Sequence, residues 1–333
     1  MAKRKKIILV TGGAGMIGSN LVKHLRFRGH RVLVVDNLWR GRMENLIDSR
    51  GRPLIDFQRD FYRLDLRRVD ALRRIRVRPD VVVHLADLVA GIGFVFRNEG
   101  KIFRDNLLIN THTFDWVRAV RPRVLVYVGT ACSFPKDLQS SRRARALREC
   151  QLYPANPESA YGWSKLMGTY EAELLGKETG IKVSNLILHN VYGTPCDTGP
   201  RSQVIPALAL RAYRFPHEPF QVWGSGNQGR AFLHVDDAVR AICKAMSRGF
   251  GAGPIQIGPD RCTSIRHVAE SIIKISGKKI KIEYDLSKPE GDQARRADFR
   301  KARSILGWFP WVTLEEGLAK TYAWVRDQEK TKK

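Results

Sequence analysis

Short runs of apolar, β-branched residues alternate along the chain with longer stretches whose apolar positions recur at helical spacing. The strand candidates are residues 7–11, 31–36, 81–85, 124–129, 183–188 and 255–257. The helix candidates are 17–28, 105–120, 160–179, 235–247, 264–276 and 314–326. Strand alternating with helix predicts an α/β fold, a parallel sheet covered on both faces. The strands read as nearly continuous apolar runs, as expected when both faces of a parallel sheet are buried. The rhythm weakens after about residue 190, where 193–229 is rich in proline, glycine and aromatic residues, and then resumes. The arginine-rich stretch 139–149 reads as an exposed insertion carrying a short helix.

Composition adds constraints. At 333 residues, 43% hydrophobic and 27% charged, the chain is globular and long enough to bury a full core without a disulfide or metal staple. No apolar run reaches the ~18–20 residues that span a bilayer. The opening Met1-Ala2-Lys3-Arg4-Lys5-Lys6 is basic, but Ile7-Ile8-Leu9-Val10 is too short for a signal-peptide core, so a cytoplasmic location is expected. Five cysteines are scattered without a CxxC pair, which suggests neither a disulfide framework nor a zinc site; no metal is expected. The charge is the unusual feature, 58 Lys+Arg against 33 Asp+Glu, or +25. Such a surplus suits a nucleic acid or a polyanionic metabolite. The basic residues are spread over the whole chain, with no local basic motif interleaved with aromatics, which argues against a nucleic-acid partner.

Thr11-Gly12-Gly13-Ala14-Gly15-Met16-Ile17-Gly18 follows the first strand and opens the first helix. In that context the glycines allow a tight turn and let a pyrophosphate approach the helix N-terminus, where unpaired N–H groups and the helix dipole favour an anion. Asp36 lies 18 residues beyond Gly18, at the end of the second strand, where a carboxylate binds the adenosine ribose. A carboxylate there repels a 2′-phosphate and favours NAD over NADP, although Arg40 and Arg42 lie close by in sequence.

Tyr161 and Lys165 stand at i and i+4 of one helix and share a face. A neighbouring ammonium stabilises phenolate and is expected to lower the tyrosine pKa, which suits a general acid/base. Thr130, at the carboxyl end of a strand, is placed to orient the same substrate oxygen.

These motifs, with Asp65-Leu66, His84-Leu85-Ala86, Asn106, Asn190-Val191-Tyr192-Gly193, Arg230, the run Phe232 to Asp237 and Leu306-Gly307-Trp308, resemble the extended short-chain dehydrogenase/reductases of the nucleotide-sugar epimerase/dehydratase superfamily over essentially the whole chain. The resemblance implies a Rossmann-type doubly wound sheet with a smaller C-terminal substrate domain. The expected division is 1–188 with 229–258 for NAD, and 189–228 with 259–333 for a nucleotide-diphospho-sugar. It implies cofactor contacts from Gly12, Gly15, Met16, Ile17, Asp36, Asn37, Asp65, Leu66, Leu85, Ala86, Tyr161 and Lys165. It implies substrate contacts from Asn190, Val204, Trp223 and Arg230, and a homodimer. Asp87 departs from the pattern, since a small residue usually follows His-Leu-Ala.

The segment Gly129-Thr130-Ala131-Cys132-Ser133-Phe134-Pro135-Lys136 is similar to the strand end of GDP-mannose 3,5-epimerases and GDP-fucose synthases, whereas 4,6-dehydratases carry an acidic residue after the Ser/Thr. The resemblance makes Thr130, Cys132, Tyr161 and Lys165 the catalytic set. Oxidation at C4 of a sugar acidifies the hydrogens on C3 and C5, and a thiolate from Cys132 in basic surroundings is suited to remove one. Those relatives place a histidine or lysine just before the equivalent of Pro206; here Pro200-Arg201-Ser202-Gln203-Val204 has neither. Arg201 is suited to bind substrate but is too basic to donate a proton. His189 and His217 are the candidates for a second acid, and His234 reads as structural. The expected activity is NAD-dependent epimerisation of a nucleotide-diphospho-sugar, GDP-hexose first. Simple 4-epimerisation and reduction of a 4-keto sugar are alternatives within the superfamily. A silent NAD-binding regulator and a nucleic-acid binder are alternatives outside it.

Overall fold

Strands β1 (Ile7–Thr11), β2 (Arg31–Asp36), β3 (Phe61–Arg63), β4 (Val81–His84), β5 (Val124–Thr130) and β6 (Lys182–Leu188) form one parallel sheet with the edge strand Pro254–Ile257. The computed structural model describes residues 5–331 apart from 142 and 144. The spatial order is Pro254–Ile257, β6, β5, β4, β1, β2, β3. The chain therefore runs outward from β1 through β2 and β3, then returns to the other side of β1 as β4. That reversal opens a crevice at the carboxyl ends of β1 and β4, the usual ligand position in such sheets.

The seven-stranded sheet confirms the α/β expectation, and its two-faced burial explains the unbroken apolar runs. Ile8, Val10, Val32, Val34 and Val83 pack on one face with Leu21 and Leu25 of α1 (Met16–Phe27). Leu9, Leu33, Val82 and Leu125 point to the other face, where they join residues of the next helices. These belong to α3 (Glu99–Val120) and α4 (Ala160–Thr179), while the short α2 (Ile92–Arg97) precedes α3 in the chain. Alternate side chains of one strand thus enter two different cores. A third core joins α5 (Val204–Arg214), α7 (Ile265–Ser276) and the helix Leu314–Lys330 through Leu208, Ile272 and Leu318.

The six predicted strands and six predicted helices all form. Among the differences from expectation, three bear on how the chain is read. β3, three residues at the sheet edge, is too short to show a period. Helix α5 lies in the proline-rich region, but Pro206 occupies its first turn, where the missing N–H has no intrahelical partner to lose. The helix expected within 139–149 is replaced by short 3-10 turns at Lys136–Gln139 and Glu149–Leu152, while the described residues between them make bends and turns. Arg142 and Ala144 lie outside the described residues. The segment is also less exposed than its charge suggests, since Gln139 and Leu147 are buried.

Helix α6 (Val235–Ala245) carries the node that fastens the C-terminal region to the sheet. Asp237 is 1% exposed, and its Oδ2 accepts the backbone N–H groups of Trp311 and Val312, both at 2.9 Å. Its Oδ1 accepts from Arg240 at 2.6 Å, and its carbonyl accepts the Trp308 indole N–H at 2.9 Å. Removing that carboxylate strands two part-buried amides and a guanidinium. Asp237→Ala is therefore expected to lower unfolding stability by about 3 kcal/mol in urea titration, and Asp237→Asn by less.

Candidate active site

β1 hands the chain to α1 through a turn that presses on the end of β4. Gly12 has φ +67, and a Cβ there would lie 3.0 Å from the Ala86 amide nitrogen. Helix α1 starts at Met16 with Gly15 as its N-cap and no side-chain cap, so its first amides remain available to an anion. Asp36 ties the turn to the second strand: Oδ2 accepts from Ala14 N at 3.0 Å and Oδ1 from Leu38 N at 2.8 Å. Burial raises the carboxyl's pKa, and those two N–H groups oppose the rise.

This cradle fits a dinucleotide. Gly12, Gly15, Met16, Ile17, Asp36 and Asn37 line one end of a cleft of about 800 Å³, joined by Asp65, Leu66, Leu85 and Ala86. The donor set is backbone amides for a pyrophosphate and a carboxylate for a ribose diol, as NAD requires. Arg40 is committed elsewhere, donating to Val89 O at 3.0 Å with Nε 3.8 Å from Asp197.

The other end of the cleft holds the reactive side chains. Ser159 Oγ caps α4 by accepting from Gly162 N, and Tyr161 and Lys165 follow in the first turns. A Cβ on Gly162 would stand 2.2 Å from the Cys132 carbonyl oxygen, so only glycine lets this helix lie against the 3-10 turn that carries Cys132. Thr130, Cys132 and Tyr161 all line the cleft, and Thr130 Oγ1 accepts from Cys132 N at 3.3 Å. Lys165, 2% exposed, does not. Its ammonium lies 4.8 Å over the Tyr127 ring and 3.5 Å from Asp87 Oδ2.

The expected lowering of the Tyr161 pKa is not what this arrangement gives. The phenol is pushed well above its ordinary value, by burial first and then by Asp87, whose Oδ2 accepts the Tyr161 hydroxyl at 3.1 Å. The lysine's charge is engaged by Tyr127 and Asp87 instead. Sequence spacing placed Lys165 correctly but could not show which oxygen it would face.

Beyond Cys132 lies a charged cluster with little trace in the sequence. Arg295 is 4% exposed and donates to Cys132 Sγ at 3.1 Å, to Gln139 Oε1 at 2.5 Å and to the buried Asp292 carboxylate. Glu158, half-buried in the cleft wall, faces Asp292, Arg295 and Arg230. Its pKa is raised by burial and then by Asp292, against the two arginines. Asn190, Val204, Trp223 and Arg230 also line the cleft. Asn190 Oδ1 is buried without a hydrogen-bond partner among the described residues. Arg230 donates to the carbonyls of Gly229 and Asp292 at 2.9 and 2.5 Å.

Three sequence expectations are corrected here. Arg201 is absent from the cleft lining: it donates to Trp39 O at 2.9 Å and stacks on the Trp39 ring at 4.6 Å. His217 is exposed and also outside the cleft. His189 does line the cleft, with Nε2 3.0 Å from Gln256 Oε1, but burial depresses its pKa to about 4, so it holds no proton to give at neutral pH. His234 is structural, as expected, and caps α6 by accepting from Asp236 N. No His/Cys/Asp/Glu cluster able to hold a metal occurs among the described residues. None of the described helices is long and apolar enough to cross a membrane.

Comparison with known proteins agrees with this geometry. GDP-mannose 3,5-epimerase of Arabidopsis thaliana is 30% identical over 323 residues, covering 96% of this chain and 82% of that protein. UDP-glucose 4-epimerase of Thermotoga maritima, solved with UDP-glucose, superposes with a TM-score of 0.86 at 29% identity, covering 97% of this chain and 99% of that one. The Thermus thermophilus UDP-glucose 4-epimerase, solved with NAD, gives 0.81 at 26% identity, covering 96% and 99%. Residues 8–258 match the NAD dependent epimerase/dehydratase family. That match spans the glycine cradle, Asp36 and the strand end that opens with them into one cleft, and the chain belongs to that family as an NAD-using enzyme.

Proposed function

We propose that this enzyme epimerises a nucleotide-diphospho-hexose, a GDP-sugar, through a transient ketone at C4. The observation that carries the reading is the seat of Cys132, packed against the first turn of the Tyr161 helix with its sulfur 3.1 Å from the Arg295 guanidinium. The 30% identity to GDP-mannose 3,5-epimerase of Arabidopsis thaliana, over an alignment covering 96% of the chain, supports the choice of nucleotide. NAD, which the glycine turn and Asp36 would hold, would supply a reversible hydride acceptor for oxidation at C4 and leave the net reaction redox-neutral.

The chain's own groups manage the protons. Tyr161 handles the proton of the C4 hydroxyl, Thr130 orients that oxygen, and Lys165 sets the charge around the phenol. The C4 ketone acidifies its neighbouring hydrogens, and Cys132 exchanges one of them. Glu158, in the cleft wall facing Arg230 and Arg295, is the acid that returns a proton, and burial raises its pKa in the direction that role needs. Asn190, Val204, Trp223 and Arg230 hold the nucleotide diphosphate. In this reading residues 1–188 and 229–258 bind NAD, residues 189–228 and 259–333 bind the nucleotide sugar, and two copies pair. Inversion at C4 itself is the second reading, favoured by the backbone likeness to the T. maritima 4-epimerase; Cys132 is then a bystander.

Turnover of nucleotide sugars in heavy water tests the assignment. Deuterium is expected at C3 or C5 of the product, and Cys132→Ser should abolish it while hydride transfer to NAD continues. Inversion at C4 without ring label, or label that survives Cys132→Ser, overturns the cysteine route. Glu158→Gln should keep the exchange but lower formation of inverted product by about a hundredfold.

Asp36 makes a separate prediction for cofactor choice. Asp36→Ala should weaken NAD binding by about tenfold or more in calorimetric titration and narrow the gap to NADP. Asp36→Asn, which retains an acceptor for the Ala14 or Leu38 amide, separates loss of ribose binding from collapse of the turn.

A further inference from the structure

Asp87 occupies a position where the family pattern calls for a small side chain, and the proton route from Tyr161 and Thr130 does not use it. Its neighbours on both sides are pinned. Ala86 N and Leu85 N donate to Thr11 Oγ1 at 3.2 and 3.1 Å. Leu88 N donates to Asn106 Oδ1 at 2.7 Å, and Asn106 Nδ2 donates back to Leu88 O at 3.3 Å. The aspartate is therefore held on a fixed stretch of backbone at the end of β4. Its carboxylate lines the cleft, with 15% of the side chain exposed, and reaches Tyr161 Oη at 3.1 Å and Lys165 Nζ at 3.5 Å through one oxygen.

The titratable groups around this carboxylate come from every element packed on it. Tyr161 and Lys165 come from α4, Tyr127 from β5, and Cys132 from the turn after β5. His84, at the end of β4, lies near Lys165; burial first, then that ammonium, hold its pKa down to about 3, so it is neutral. The Lys165 ammonium is the cation that balances Asp87. A phenolate on Tyr161, itself 9% exposed, would be a second anion 3.1 Å from the carboxylate.

We propose that Asp87 is the terminal proton acceptor of this active site, taking the Tyr161 phenol proton as the phenol takes the proton of the substrate hydroxyl. The proposal rests on the reading that Tyr161 handles that hydroxyl. The alcohol O–H bond breaks as a new bond forms to Tyr161 Oη, and the Tyr161 O–H bond breaks as one forms to Asp87 Oδ2. Tyr161 stays neutral at both ends of the step, and the carboxylate becomes a carboxyl. The C–H electron pair leaves the sugar in the oxidation the family's activity already supplies, and the return of both protons reverses the sequence. Lys165 then steadies a carboxylate where the sequence pattern alone suggested a phenolate.

The consequence is a displaced pH dependence. A phenolate acceptor is lost as pH falls below the tyrosine's pKa, whereas a carboxylate acceptor persists to acid pH. Two measurements test it, with Asp87→Ala and the isosteric Asp87→Asn checked for folding by circular dichroism. First, the protein without substrate, carrying isotope-labelled tyrosine assigned through Tyr161→Phe, is titrated by NMR. The Tyr161 midpoint is expected to fall by about two pH units in both variants. Second, single-turnover reduction of NAD by nucleotide sugar is followed against pH. The wild type should stay nearly flat between neutrality and mild acid, while both variants lose about tenfold per pH unit below the new tyrosine midpoint.

An unchanged Tyr161 midpoint, or variants that keep the flat rate profile, overturns the proposal. Failure of the wild type to reduce NAD with any nucleotide sugar strikes the proposed function instead. The two failures are told apart because the phenol titration needs no substrate.

Discussion

The structure turns on the contact between the end of β1 and the end of β4. Thr11 Oγ1 accepts from Leu85 N and Ala86 N, and lies 2.7 Å from His84 Nδ1, whose Nε2 is 3.2 Å from Asn110 Oδ1. The cluster is buried, and His84 is neutral, so it is held by hydrogen bonds rather than charge. It fixes two things at once. It clamps the end of β1, from which the glycine turn starts, against the end of β4, and it sets the backbone that carries Asp87, whose carboxylate accepts the Tyr161 hydroxyl. Cofactor cradle and proton machinery are thus positioned by one polar knot at the crevice where the strand order reverses.

Much of this was legible in the sequence because burial writes itself as pattern. Ile7–Thr11 and Val124–Thr130 read as continuous apolar runs since their alternate side chains enter two separate cores. The glycine turn was legible because it answers a local demand, the close approach of Gly12 to the backbone at Ala86. The same holds for the spacing of Tyr161 and Lys165, which the helix enforces.

What stayed hidden was tertiary. Arg295 comes from a segment 163 residues beyond Cys132, and no spacing rule joins a guanidinium to that sulfur. Glu158 follows a proline in an ordinary loop, and only the fold brings Asp292 beside it. Arg201 looked like a substrate ligand by its place before α5, but the Trp39 ring and carbonyl claim it. Lys165 was expected to stabilise phenolate, and that expectation failed through one carboxylate that position in sequence marks as odd without saying where it points.

The surplus of positive charge now has a location. Inside the cleft and beneath it, Lys165 faces Asp87, Arg295 faces Asp292 and Arg40 faces Asp197, so these interior cations are balanced. The net +25 must therefore be carried mainly by exposed lysines and arginines, such as Lys23, Arg74 and Arg76. Charges of that kind act on a distant anion rather than on the reacting atoms. They raise the encounter rate of a polyanionic nucleotide sugar and lose most of that effect beyond about 10 Å in ordinary salt. The chemistry of the site is set by balanced pairs in a half-dry cleft, and the field outside it bears on how often a substrate arrives.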